Sequence, residues 1–443
     1  MKILIIYLSI FFGFCQSNPK PLKTYNQNHA TDSDSLLLDS IQRQCFNYYW
    51  LGSDTVSTAA RERIHLDQIY EWGDSSIVTS GGTGFAVMAT LVAIHRHFIS
   101  RSQGYERLNH LVDWLIRADR FHGAFPHWWL PDGSVKPFSK YDDGGDIVET
   151  AYLTQGLLCA KQFFKDGNQD EINLAQKIDQ LWRDVDWSFY THWKNVLYWH
   201  WSPHYGWKMN FAIRGYNECL IPYILAASSP THPIDTSVFY EGFMKSGKIV
   251  TDRVMYDLPT ILDHYDNNNN AVGPLFWAQY SYLGLDPRHL KDRYADYWKV
   301  NQNHAMIHYR YCMDNPKHFN GYSDSCWGLT SSYSLGGYAT HSPEEDNGEI
   351  SPTAALASFP YTPAESYKFL KYVYNDKNNK LVGAYGPYDV FNPGTGWTLP
   401  RYLAIDQLPI PVMIENYRSG LLWNLFMSNE DIQNGLLRLG MSY

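Results

Sequence analysis

Three carboxylates in this chain are spaced for chemistry. Asp146 and Glu149 stand three apart in YDDGGDIVETAYL (141–153), and Glu218 sits where RGYNE gives way to the apolar run CLIPYILAA. On a helix, residues three apart share a face, so Asp146 and Glu149 can point into one cleft. The same spacing suits a helix start, with Asp146 as the cap and Glu149 closing a capping box. The two roles are compatible. Glu218 is either a polar start on a loop-facing turn or a desolvated acid with a raised pKa, suited to protonating a leaving oxygen. For Asp142 and Asp143 only proximity speaks.

The surroundings of these acids are aromatic. FHGAFPHWW supplies His122, His127, Trp128 and Trp129, and DWSFYTHWKNVLYWHWSPHYGW supplies Trp187, Trp193, Trp199, Trp201, His204, Tyr205 and Trp207. Arg214, Tyr216 and Asn217 immediately precede Glu218. Sugar rings have apolar C–H faces and hydroxyl edges. Aromatic platforms beside carboxylates and amides therefore fit a glycan, with a carboxyl pair for the proton transfers. His127, Trp128, Trp201, His204, Tyr205, Arg214, Tyr216 and Asn217 are the expected substrate contacts. Asp406, in AIDQLPIPVMIENY, is a further substrate contact and a reserve candidate for the base.

Other chemistries lack their residues. The chain has a net charge of −9 and no lysine or arginine run, which argues against nucleic acid or an anionic membrane surface as partner. No C-x-x-C, H-E-x-x-H or G-x-S-x-G occurs, and SGGTGFA (80–86) lacks the preceding strand and the spacing of a phosphate loop or dinucleotide fingerprint. No cofactor and no metal are expected; the acidic loop SPEEDNGEIS (342–351) does not match an EF-hand and reads as structural. Of the six cysteines, only Cys312 and Cys326 are close enough in sequence to suggest a disulfide.

The positioning elements are mainly helical. MKILIIYLSIFFGFCQS (1–17) has one lysine before an apolar run too short to span a bilayer, the pattern of a signal peptide. Cleavage after Ser17 is expected; lipid attachment at Cys15 competes with it, although Phe14 stands where a small residue is usual. Residues 18–33 read as a flexible leader, and 34–443 as one domain. Apolar periodicity predicts helices near 34–50, 82–100, 104–118, 147–166, 170–185, 211–227, 236–249, 287–302, 351–359, 363–374, 410–427 and 430–439. The clearest strand signal is NVLYWHW (195–201). A dozen helices separated by long Gly-, Pro- and Trp-rich loops suggest a double-layered toroid with a cleft at one end.

Four segments, GGDIVETAYLTQGLL, RGYNECLIPYILAAS, DNGEISPTAALASFPYTP and AIDQLPIPVMIENYRSGLLWNLFM, together resemble the glucoamylase-like domain of bacteria, in detail glycoside hydrolase family 144. The resemblance runs in order from about residue 38 to 440. It implies an all-α (α/α)6 toroid and inverting hydrolysis of β-1,2-glucan. Endo action would give sophorooligosaccharides; exo action would release sophorose. The family's essential acids fall on Asp146, Glu149 and Glu218. Departures occur at Leu408, where the family tends to have glycine, and in SSYSLGGYATHSP (331–343). The resulting expectation is an exported, monomeric glycosidase of the periplasm or exterior, with Glu218 as general acid and Asp146 and Glu149 orienting or activating water. A non-catalytic glycan-binding protein is the alternative of another class.

Overall fold

The computed structural model describes residues 32–70, 74–264, 272–375 and 380–443, with side chains from residue 34 onward. The expected signal peptide, most of the leader and residues 265–271 lie outside the described residues.

Thirteen α-helices are present among the described residues: α1 Asp32–Gly52, α2 Ser80–His95, α3 Arg101–Leu115, α4 Ile147–Phe164, α5 Gln169–Arg183, α6 Leu220–Ser228, α7 Tyr297–Asp314, α8 Pro352–Leu356, α9 Pro363–Tyr374, α10 Ala404–Gln407, α11 Pro409–Arg418, α12 Leu421–Met427 and α13 Glu430–Arg438. The fold is mostly helical, as expected. Strands are more numerous than the sequence suggested, but each is only two or three residues long, in separate hairpins and ribbons. No described helix is long and apolar enough to cross a membrane.

Burial separates the helices into two kinds. Helices α2, α4 and α6 are buried almost all round, and so is most of α11. Helices apolar on every side must lie inside. Amphipathic α5 buries only one stripe, including Leu174, Ile178, Leu181 and Trp182. Outer helices cover inner ones: α3 packs on α2, α5 on α4, α13 on α6 and α1 on α11. The glycines of SGGTGFA belong to this packing. A Cβ on Gly84 would lie 2.2 Å from the Tyr152 carbonyl oxygen, and one on Gly156 would lie 2.1 Å from that of Gly84. Helices α2 and α4 cross there with backbones in contact.

Several boundaries differ from the periodicity. The expected helix over 211–227 begins only at Leu220, because the Asn217 side chain accepts from Cys219 N–H (2.9 Å) in a turn. The segment 236–249 forms a π turn, Val238–Phe243, and a short 3₁₀ turn. The helix expected at 287–302 starts at Tyr297, where Asp296 caps Lys299 N–H, and runs on to Asp314. The stretch 410–427 breaks at Gly420, whose φ of +71° ends α11 before α12. Cys312 and Cys326 are not joined; both are free and buried. Their thiols face different groups, the Gly328 backbone and Tyr372.

The chain enters three buried helices through short strands or turns at one end. Residues 78–79, a two-residue strand where none was expected before SGGTGFA, lead into α2, 145–146 into α4, and 401–403 into α10, while Glu218 precedes α6. These N-terminal ends meet: Gly81 N–H reaches Glu149, and Gly82 approaches Ala404.

Candidate active site

Asp146 is the N-cap of α4. Its Oδ1 accepts from Val148 N–H and Glu149 N–H, both at 2.9 Å. Its Oδ2 accepts from His127 Nδ1 at 3.0 Å and from the Trp199 indole at 3.1 Å. The residue is fully buried. Burial opposes its charge, but the hydrogen bond from His127, the charges on His200 and His127, and the Glu149 amide outweigh that, and its pKa lies below the usual range.

Glu149 does not close a capping box. The Asp146 N–H goes to Phe125 O (2.9 Å), and the Glu149 carboxylate turns to Gly81 N–H at 2.7 Å, in the first turn of α2. Burial lifts its pKa to about 7, with Asp146 and Asp142 adding to the rise and His127 and Gly81 opposing it. Glu218 is half-buried in the turn before α6. Burial raises it as well, to about 7, and the negative charge of Glu149 contributes. Ser281 Oγ holds the Glu218 carbonyl, which fixes the turn.

Desolvation by itself would strip His127 of its proton. Glu149, Asp146 and Asp142 outweigh it and hold the ring cationic, with a pKa of about 10. His200 completes the cluster, its Nδ1 being 3.3 Å from Asp142 and 3.7 Å from Asp146. His127, Asp142 and Asp146 bring donor atoms within 4.8 Å of one another, a spacing a metal could use. The ring nitrogen that faces the carboxylates is hydrogen-bonded to Asp146, so His127 and Asp146 form an ion pair with Asp142 3.9 Å away.

The structure therefore brings together Asp146, Glu149, Glu218 and His127. Trp128 stands beside His127, edge-on at 5.5 Å. His204 and Tyr205 stand at the rim: His204 Nδ1 lies 2.7 Å from Asp143, and Tyr205 meets Tyr141 edge-on at 5.2 Å. Other candidates lie elsewhere. Trp201 follows His200 on a strand and points to the opposite face, against His122 and Phe189. Arg214 is exposed and donates to Glu241 O, and Asn217 is used in its turn. Tyr216 is buried in the wall behind Glu218, where its hydroxyl donates to Asn301 (2.9 Å).

Asp406 is buried and forms a pair that the sequence did not suggest. It shares a hydrogen bond with Asp389 and accepts from Tyr280 OH at 3.3 Å, while Asp389 accepts from Tyr333 N–H at 2.7 Å. Burial raises both; Asp389 reaches about 6, and Asp406 lies well above its usual value. One proton held between them satisfies both carboxyls. The sequence also missed Asp142, His200 and Trp199 as partners of Asp146, and Phe138, which stacks on His127 at 4.2 Å. WHW carried a signal for Trp199 and His200 only as aromatic residues.

Known proteins share this arrangement of chain. The model of the Glycoamylase family, described as glucoamylase, matches residues 210–430. An endo-β-1,2-glucanase from Chitinophaga pinensis, solved with sophorotriose and glucose, is 54% identical; the alignment covers 94% of this chain and 99% of that one, with a TM-score of 0.91. A β-1,2-glucanase structure from Parabacteroides distasonis is 39% identical, covering 93% of this chain and 60% of that one, with a TM-score of 0.86. An exo β-1,2-glucooligosaccharide sophorohydrolase of the same species is 40% identical over 430 residues, 92% of this chain. This chain spans 58% of that curated relative's length. With identity of this order over nearly the whole of a solved relative, the chain belongs to the glucoamylase-like glycoside hydrolases of family 144.

Proposed function

We propose that this protein is an inverting glycoside hydrolase that cuts β-1,2-glucan internally and yields sophorooligosaccharides. One observation carries the reading: Glu218 stands in the turn before buried α6 with the Glu149 carboxylate near it, where burial and that charge push its pKa up to about 7. A general acid must be protonated at the working pH, then release its proton to the leaving oxygen. Glu149, close enough to raise Glu218, is the carboxylate placed to orient or activate water, directly or through a sugar hydroxyl. The endo mode follows the Chitinophaga relative, which is matched along almost its full length. The exo reading, release of sophorose, is favoured by the name of the Parabacteroides relative. The proposed architecture is the (α/α)6 toroid, in keeping with four buried inner helices and their outer covers. Export to the periplasm or exterior, proposed from residues 1–17, and a monomeric state complete the reading.

The test is incubation with linear β-1,2-glucan while products are followed over time. A ladder of sophorooligosaccharides supports endo action, and disaccharide alone supports exo action. Absence of cleavage refutes the substrate. The anomer formed first, read by NMR, decides inversion. Glu218→Gln separates a hydrolase from a binding protein: turnover is lost while glycan binding is kept.

A further inference from the structure

Asp146 cannot meet a sugar. Four donors fill its two oxygens, two backbone amides on Oδ1 and His127 and Trp199 on Oδ2, and no part of the residue reaches solvent. A carboxylate has about four lone-pair sites, so none is left for a water or a hydroxyl. Its neighbour differs. His127 turns Nδ1 inward, 3.0 Å from Asp146 and 3.9 Å from Asp142, and its side chain keeps 22% of its surface open. No described protein atom takes the proton on Nε2. Phe138 stacks on the ring at 4.2 Å and Trp128 meets it edge-on, which fixes its plane.

We propose that Asp146 is a positioning residue that holds His127 as an imidazolium, and that the outward Nε2–H of His127 donates to a hydroxyl of the glucosyl unit at the cleavage point. This rests on the glycoside hydrolase reading above. The three carboxylates facing the ring, Asp142, Asp146 and Glu149, favour its cation against desolvation. Asp142 and Asp146 come from the loop before α4, and Glu149 from the first turn of α4 itself. His200 faces the same two aspartates from the neighbouring strand. The cationic ring, with a pKa of about 10, stays a donor throughout the neutral range. A hydrogen bond from a charged donor is roughly twice as strong as a neutral one, and it holds the hydroxyl beside Glu149 and Glu218. Asp146 is thereby essential without touching substrate: it sets which ring nitrogen is inward and keeps the other one protonated.

Two measurements test this. In the first, Asp146→Asn, His127→Gln and the double variant are compared on β-1,2-glucan. Asparagine keeps the helix cap through its carbonyl oxygen but cannot hold an imidazolium. Each single change is expected to lower kcat/KM by about 10- to 100-fold, the size of a lost charged hydrogen bond. Adding Asp146→Asn to His127→Gln should cost less than about two-fold more, because both remove one interaction. Multiplicative losses would overturn the proposal. The second measurement does not depend on turnover or on variants at these two sites. Imidazole ¹⁵N NMR of the wild-type protein should show His127 doubly protonated at pH 8. Sophorotriose added to Glu218→Gln should shift its Nε2 resonance. A neutral His127 at pH 8, or an unmoved resonance with bound sugar, overturns it. If the wild type fails to cleave the glucan, the substrate reading falls instead, and the charge on His127 is still decided by the spectrum.

Discussion

Replacing Glu218 with glutamine should make the enzyme inactive and, at alkaline pH, more stable. Glu218 goes from an ordinary 4.5 to about 7 in the fold, because burial and Glu149 disfavour its ionised form. A raised acid contributes its full stability below the unfolded pKa and loses it as pH rises through the folded one. Each pH unit between the two values is worth about 1.4 kcal/mol. The wild type therefore loses about 3 kcal/mol from this group by pH 8, and less than about 1 kcal/mol by pH 5. Glutamine has the shape of the protonated acid and carries no charge at either pH. For a chain of this length, unfolding entropy of about 2 cal/mol/K per residue converts 1 kcal/mol to roughly 1 °C. Glu218→Gln should thus raise Tm by about 3 °C at pH 8 and by under about 1 °C at pH 5, while turnover falls by about 1000-fold or more. Thermal unfolding at both pH values, beside the glucan assay, reads all of this. A variant less stable than the wild type at pH 8, or a Tm change equal at both pH values, would show that Glu218 is not a desolvated acid.

Gly81→Ala places a Cβ 2.4 Å from Glu149 Oε2 and 2.9 Å from the Tyr152 ring, so Glu149 must leave its amide. Activity should fall at least about ten-fold while stability, read by urea unfolding, moves by no more than about 2 kcal/mol, since alanine's helix preference offsets part of the crowding. Glu415 joins α1, α2 and α11: it is fully buried and accepts from Arg96 (2.6 and 2.8 Å), Gln42 (3.1 Å) and Ser419 (2.6 Å). Burial opposes its charge, yet Arg96 and Ser419 hold its pKa below the usual value. The stability it gives is present above the unfolded pKa and is lost as pH falls through the folded one. Glu415→Ala should cost about 3 kcal/mol in urea unfolding at pH 7 with KM unchanged, and less at pH 3. Asp389→Asn supplies Asp406 with a permanent donor and keeps an acceptor for Tyr333 N–H. Since Asp389 titrates near 6, this variant should gain stability over the wild type as pH rises from 5 to 8, measured by denaturation at each pH.

What could be read in the sequence was local. Asp146 as a cap depends on amides two and three residues on, and Glu218 before an apolar run is a neighbour effect. The apolar run CLIPYILAA was visible as such, and it forms buried α6. What escaped notice depended on residues far apart in the chain. The partner of Glu149 is Gly81, 68 residues away, so the capping-box pattern was present and the box was not. The glycine spacing of SGGTGFA argues rightly against a nucleotide-binding loop, but it does not say what the backbone approaches, here the Tyr152 carbonyl. WHW read as sugar platforms, but Trp199 donates to Asp146, His200 faces Asp142, and Trp201 turns away. Asp389 gave no signal, since its chemistry comes from Asp406.

These partnerships explain how similar positions yield opposite protonation states. Asp146, Glu149 and Glu218 all stand at the starts of buried apolar helices, where desolvation pushes every carboxyl toward its neutral form. The donors decide the outcome. Asp146 receives two helix amides, an indole and a cationic imidazole, and ionises below the usual range. Glu149 receives one amide and lies near His127, and it stays near 7 against the charges of Asp146 and Asp142. Glu218 has only its own backbone amide in its favour and keeps its proton to about 7. A site needing both a fixed anion and a transferable proton obtains them from one residue class by varying the number of N–H groups aimed at each.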